Sequence, residues 1–182
     1  MRRLAMPLAL SLLAGPLLAQ GCPAAPDHGE EIARLLESLS ASRSGAEAQA
    51  IAAELWALRM EAPDARAQAL LDEGMEARAA FDVPSAREIF DRLVAYCPAY
   101  AEGYNQRAFA AYLGADFAAA LQDLDRALEL APRHIGALSG KALTLMGLGR
   151  QVEAQIVLRQ ALALNPWLAE RRLLRELPGK DI

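Results

Sequence analysis

Apolar positions recur every three or four residues along most of this chain. Leu35, Leu36 and Leu39 form one stripe, and Ile51, Leu55 and Leu58 form another. That spacing belongs to helices with one buried face. It predicts helices over 30–41 and 46–60, with Pro63 and Asp64 stopping the second. From residue 67 a longer period takes over. Pro98, Pro132 and Pro166 lie 34 residues apart, as do Leu70, Tyr104 and Leu138, and Phe90, Leu124 and Leu158. Small residues keep the same step: Gly74, Ala108 and Ala142, then Ala86, Ala120 and Ala154. Ala127 and Ala161 repeat as well, with Leu93 in the first copy. So many coincidences at one spacing mark an internal repeat.

Each copy reads as two amphipathic helices joined by a short turn. Small residues at the eighth and twentieth places let the two helices approach closely. The proline near the end of each copy cannot continue the second helix. In the first copy Asp82 precedes Pro84 and Ser85, which is a good helix start.

These places resemble the tetratricopeptide repeat. Its pattern has a large apolar residue at place 4, small residues at 8, 20 and 27, an apolar one at 24 and proline at 32. Counting from Ala67, Ala101 and Ile135 puts the residues above on those places. The resemblance implies an all-α, right-handed superhelical solenoid of antiparallel helix pairs, with repeats at 67–100, 101–134 and 135–168. Arg107-Ala108 and the joint from Pro132 to Leu138 also resemble a group of exported repeat proteins from Gram-negative bacteria. Residues 29–66 read as a degenerate fourth helix pair ahead of the first clear repeat. Residues 20–28 read as an extended segment, and 169–182 as a capping helix and tail.

The chain opens differently. Met1-Arg2-Arg3 is a positive start, 4–18 is an apolar run holding Pro7 and Pro16, and Ala19 is a small residue at its end. This is the make-up of a signal peptide, cleaved near Ala19, and predicts export to the periplasm. An oxidising compartment lets Cys22 pair with Cys97, a bridge that closes a long loop. The alternatives are two unpaired thiols, or lipidation of Cys22. The residues before Cys22, Ala19-Gln20-Gly21, match a lipidation motif poorly. Contact with a membrane is expected only if Cys22 carries lipid.

Hydrophobic residues make up 54% of the chain and charged ones 23%, which predicts a folded chain. A net charge of −4 argues against nucleic acid, whose phosphates call for a basic face. No catalytic constellation stands out. Gly140-Lys141 lacks the glycine spacing of a phosphate loop, Ser139 lacks its elbow, and the two histidines, His28 and His134, do not cluster with metal-ligating neighbours. We therefore expect no enzyme, no cofactor and no metal. Asp123 and Asp125 point to different faces of a helix and read as a solvated face with a local ion pair. Place 7, usually apolar, holds Glu73, Arg107 and Lys141. That row reads as salt bridging between neighbouring helices, with a ligand-gripping stripe as the other possibility.

The family resemblance implies a concave groove lined by the first helix of each pair. Its candidate partner-binding residues are Leu71, Met75, Arg78, Asn105, Phe109, Tyr112, Leu143 and Met146. The lining is mostly apolar, which suits a helix or extended segment of another protein. The Lys and Asn with which some such domains grip a C-terminal carboxylate are absent: Leu71 and Met75, then Asn105 and Phe109, stand there.

Overall fold

A computed structural model describes residues 21–176. Residues 1–19, expected above to be a signal peptide, Gln20 and the tail from 177 lie outside the described residues. Eight α-helices run through the described chain: α1 (Gly29–Ser40), α2 (Gly45–Met60), α3 (Ala65–Ala79), α4 (Val83–Tyr96), α5 (Ala101–Leu113), α6 (Phe117–Leu130), α7 (Ile135–Gly147) and α8 (Gln151–Leu164).

Residues 67–168 form three helix pairs, and each new pair stacks on the one before. The starts are fixed locally. Asp64, Asp82 and Asp116 accept hydrogen bonds from the backbone N–H of Ala67, Ser85 and Ala119, and His134 does the same for Ala137 through Nδ1. The pair interiors trade size. Phe90 is fully buried against Gly74, where a Cβ would collide with its ring. In the other two pairs the large partner shrinks to Leu124 or Leu158 and the small one grows to Ala108 or Ala142. Sum of volumes, not identity, is what the repeat keeps.

The turn inside each pair repeats a backbone feature. Phe81, Ala115 and Gly149 all take positive φ, at 59°, 57° and 74°, again 34 residues apart. Glycine adopts that conformation freely; Phe81 and Ala115 are strained there.

Two expectations change. Residues 29–66 do form a helix pair, but it does not continue the stack as a unit ahead of α3. It crosses the molecule, and α1 packs on α8 instead. Its apolar cluster of Leu35, Leu36, Leu39, Ala48 and Leu55 meets Ile135, Leu164 and Trp167 at the far end of the stack. The expected capping helix is only a five-residue 3-10 turn, Ala169–Leu173, with no buried residue. Its Leu173 and the following Leu174 stay 36% and 44% exposed, so the segment buries too little to support a longer helix.

Candidate functional site: a roofed groove

Because α1 and α2 fold across the stack, they roof its groove. Between roof and floor lies a cavity of about 460 Å³. Leu36 of α1 and Ala52, Leu55, Trp56 and Arg59 of α2 form the upper side. Arg78 of α3 and the inward faces of α5 and α7 form the lower side. Trp56 is 56% exposed and Phe109 47%, so a large aromatic stands on each side partly uncovered. Most of the wall is apolar.

Five of the eight sequence-selected groove residues line this space: Arg78, Asn105, Phe109, Tyr112 and Leu143. Leu71, Met75 and Met146 do not. Leu71 is fully buried in the cluster that includes Met60, and Met75 packs on the same cluster. The end of α2 brings Met60 into that core, which takes Leu71 out of reach of a partner. Met146 packs on the third pair's core. Tyr112 is half-buried and tilts against Phe117, with ring centroids 5.4 Å apart.

One side of the cavity is polar. Glu102 is 3% exposed and sits 2.7 Å from His134 Nε2, itself in a 3% exposed residue. Asn105 and Gln106 also donate to Glu102, at 2.9 and 2.5 Å. Arg78 donates to Gln106 and lays its guanidinium over the Phe109 ring, 4.4 Å from its centroid. Burial pushes the Glu102 carboxyl up, but hydrogen bonds from His134, Asn105 and Gln106 outweigh it and hold the group below the usual carboxylate range. The Ala137 N–H donating to His134 Nδ1 leaves Nε2 to carry the proton toward Glu102. Burial lowers the guanidinium pKa of Arg59 and of Arg78, and the Glu102 charge opposes that in both.

Arg78, Glu102, Asn105, Gln106 and His134 each hydrogen-bond within this cluster, so the cluster positions helices and shapes the wall. Among the described residues no group of three or more His, Cys, Asp and Glu side chains could hold a metal ion. None of their helices is long and apolar enough to cross a membrane. The sulfurs of Cys22 and Cys97 are joined, with Cα atoms 5.0 Å apart. The charged row also finds partners. Arg107 takes Asp123 on α6 and Asp91 on α4, Lys141 takes Asp125 on α6, and Glu73 meets Arg92 on α4.

Sequence reasoning missed Trp56 and Arg59. Trp56 lies off the stripe of Ile51, Leu55 and Leu58 and Arg59 is a charged residue at its edge, and only the crossing of α2 over the stack makes them part of a site. The Glu102–His134 pair carried a faint signal: two polar residues 32 apart, one near the start of a first helix and the other at the next repeat joint.

Helix pairs stacked at a step of 34 residues define an α-helical repeat solenoid, and comparison with known proteins agrees. No family model matches the chain. A TPR repeat-containing protein of Rhizobium etli is 36% identical over 66 residues, covering 36% of this chain and 32% of that protein. Human tetratricopeptide repeat protein 36 is 33% identical over 114 residues, covering 60% of each. The chain thus spans about a third of one of these relatives and 60% of the other. Among solved structures, the Arabidopsis OM64 TPR domain superposes with a TM-score of 0.58 at 23% identity, covering 63% of this chain and 92% of that one. The first TPR domain of RPAP3, bound to an HSP90 peptide, gives 0.58 at 22%, covering 60% and 88%. The MamA protein gives 0.52 at 17%, covering 82% and 79%. This chain folds as an all-α tetratricopeptide-repeat solenoid.

Proposed function

We propose that this protein is a non-enzymatic adaptor of the bacterial cell envelope that holds a segment of another protein in its groove. The observation that carries the reading is the roofed groove itself. It has an apolar wall, with Trp56 and Phe109 partly uncovered on opposite sides. Exposed aromatics beside an apolar cleft are what a partner's side chains bury best. The solved relatives lend support: the RPAP3 domain was determined with an HSP90 peptide, and the yeast Sti1 TPR2B domain with an Hsp70 peptide. Location in the envelope is supported by the positive, apolar start of the chain and by the joined Cys22 and Cys97. A sulfur in a disulfide cannot carry a lipid thioether, so the pairing speaks against the lipid-anchored alternative.

The test is in-cell photo-crosslinking from Phe109, with the outward-facing Gln122 as control. A discrete envelope protein captured from Phe109 and not from Gln122 is the expected result. Equal labelling from both sites, or none from either, refutes the adaptor reading.

A further inference from the structure

We propose that the α1–α2 hairpin is a latched flap over the groove, hinged at one end and fastened at the other. Its role as a gate for a partner rests on the adaptor reading; its mechanics do not.

Both ends of the hairpin are anchored at one place. The segment entering α1 is tied to the end of α4 by Cys22–Cys97. His28, at the entry, pairs with Glu61, at the exit, at 2.7 Å. Met60 closes α2 within the first pair's core, and Tyr100 donates to the Arg59 carbonyl at 2.8 Å. These contacts keep the base attached while leaving the rest free to pivot about it.

The tip is the turn between α1 and α2, and it meets the opposite end of the stack. Trp167 Nε1 donates to the Ser42 carbonyl at 3.3 Å. The Trp167 ring lies where a Cβ on Gly45 would touch it, 3.4 Å away. Leu164 and Ile135 add apolar contact to the hairpin's own cluster. Between base and tip the hairpin does not close-pack on the stack: the cavity lies there, and Trp56 stays over half exposed. A helix with open space beneath it lacks the contacts that hold a core element shut. The hairpin has its own small core of Leu35, Leu36, Leu39, Ala48 and Leu55, so it can move as one body. Opening therefore breaks the tip contacts and the 3.2 Å bond from Arg59 Nη2 to the Arg133 carbonyl, and leaves the hairpin and the stack each intact, the signature of a low-stability cooperative unit.

Hydrogen exchange followed by mass spectrometry on the whole chain tests this, comparing wild type with Trp167→Ala and Trp167→Phe. The expected result for Trp167→Ala is exchange on the order of tenfold faster in α1 and α2, with α3 to α6 unchanged. Trp167→Phe keeps a ring on Gly45 and should stay close to wild type. An equal rise in all helices would mean that the hairpin is an integral layer, and no rise in α1 and α2 would mean that Trp167 is no latch; either overturns the flap. The Phe109 crosslink, repeated in Trp167→Ala, should then rise in yield. Fast exchange in the hairpin with no adduct in any variant keeps the flap and sinks the adaptor reading alone.

Discussion

The stack and the hairpin are built from the same unit, two antiparallel helices and a short turn, yet they bury themselves in different ways. In the stack each pair meets its neighbours along most of its length, and small residues at fixed places let large ones interlock: Phe90 over Gly74, Leu124 with Ala108, Leu158 with Ala142. The hairpin has no such partner row. It buries Leu35, Leu36, Leu39, Ala48 and Leu55 among themselves and touches the stack at its base and its tip. Small residues repeated at a step of 34 make a layer; the hairpin, with Ala48 in its cluster, stands outside that step.

The largest effect should come from cutting the stack. Phe90→Ala removes a fully buried ring whose space Gly74 cannot fill, and should cost about 3–5 kcal/mol, read as a large fall in the urea midpoint. Leu55→Ala, also in a buried position, should act on the hairpin alone. Its expected signature is early loss of part of the helical signal, with the main transition left nearly in place. One shared transition for both variants would erase the distinction between layer and lid.

Next in size is the buried polar cluster that the groove is built over. Glu102→Gln removes the charged acceptor of His134, Asn105 and Gln106, and should cost roughly 2–3 kcal/mol near neutral pH. Its pH dependence has a fixed sign. The folded carboxyl titrates below its ordinary value, so the folded state binds the proton less readily than the unfolded chain does. The contribution is complete above the ordinary carboxylate range and disappears as pH falls through the depressed folded value. Urea midpoints between neutral and acid pH should therefore fall more steeply in wild type than in Glu102→Gln. Parallel profiles would place the stabilisation elsewhere.

The stack was legible because its information is local and repeated. The prolines at 98, 132 and 166, the small places and the apolar anchors each state the same geometry, so the errors of any one copy average out. The caps at Asp82 and the salt-bridged reading of the place-7 row came from the same regularity. The hairpin's helices were equally legible from their stripes, to within a residue at each end. Its position was not. Nothing in Leu35, Leu36 and Leu39 says whether their stripe meets α3 next door or Ile135, Leu164 and Trp167 at the other end of the stack. Both are apolar surfaces, and the choice depends on which leaves less uncovered across the whole chain. The candidate site inherited that gap. Phe109 and Leu143 follow from the repeat alone, whereas Trp56 and Arg59 exist as site residues only because the hairpin crosses over, and Leu71 drops out because Met60 arrives in its core.

A smaller test concerns the turns, where the three pairs differ from one another. Ala115 holds φ at 57°, the conformation that Gly149 takes freely one repeat later. Ala115→Gly should relieve that strain, offset in part by the entropy of a freer unfolded chain, for a net gain of about 0.5–1 kcal/mol. Gly149→Ala should lose a similar amount. A melting midpoint that moves the same way in both variants would show that the turns are not equivalent.

The smallest expected effect lies in the charged row, and it separates two ion pairs that look alike in sequence. Lys141 makes a single contact with Asp125, 2.6 Å long, and the Asp125 side chain is 48% exposed. A point charge on a flexible stem, paired in high dielectric, contributes little, so Lys141→Ala should cost about 0.5 kcal/mol or less and nothing further in molar salt. Arg107 stands in the same place of the preceding repeat but is held on two sides. Its Nε and Nη2 fork onto Asp123 at 2.8 and 2.6 Å, and its Nη1 reaches Asp91 at 2.7 Å. The Asp123 side chain is only 11% exposed, so truncating Arg107 strands a nearly buried carboxylate. Arg107→Ala should therefore cost clearly more than Lys141→Ala, and the excess should persist in molar salt, because a desolvated pair is poorly screened. Arg107→Lys should recover only part of it, since an ammonium cannot fork. If the two truncations prove equal, the row is a uniform solvated edge. If Arg107 alone matters, it is the rivet that joins α5 to both of its flanking second helices.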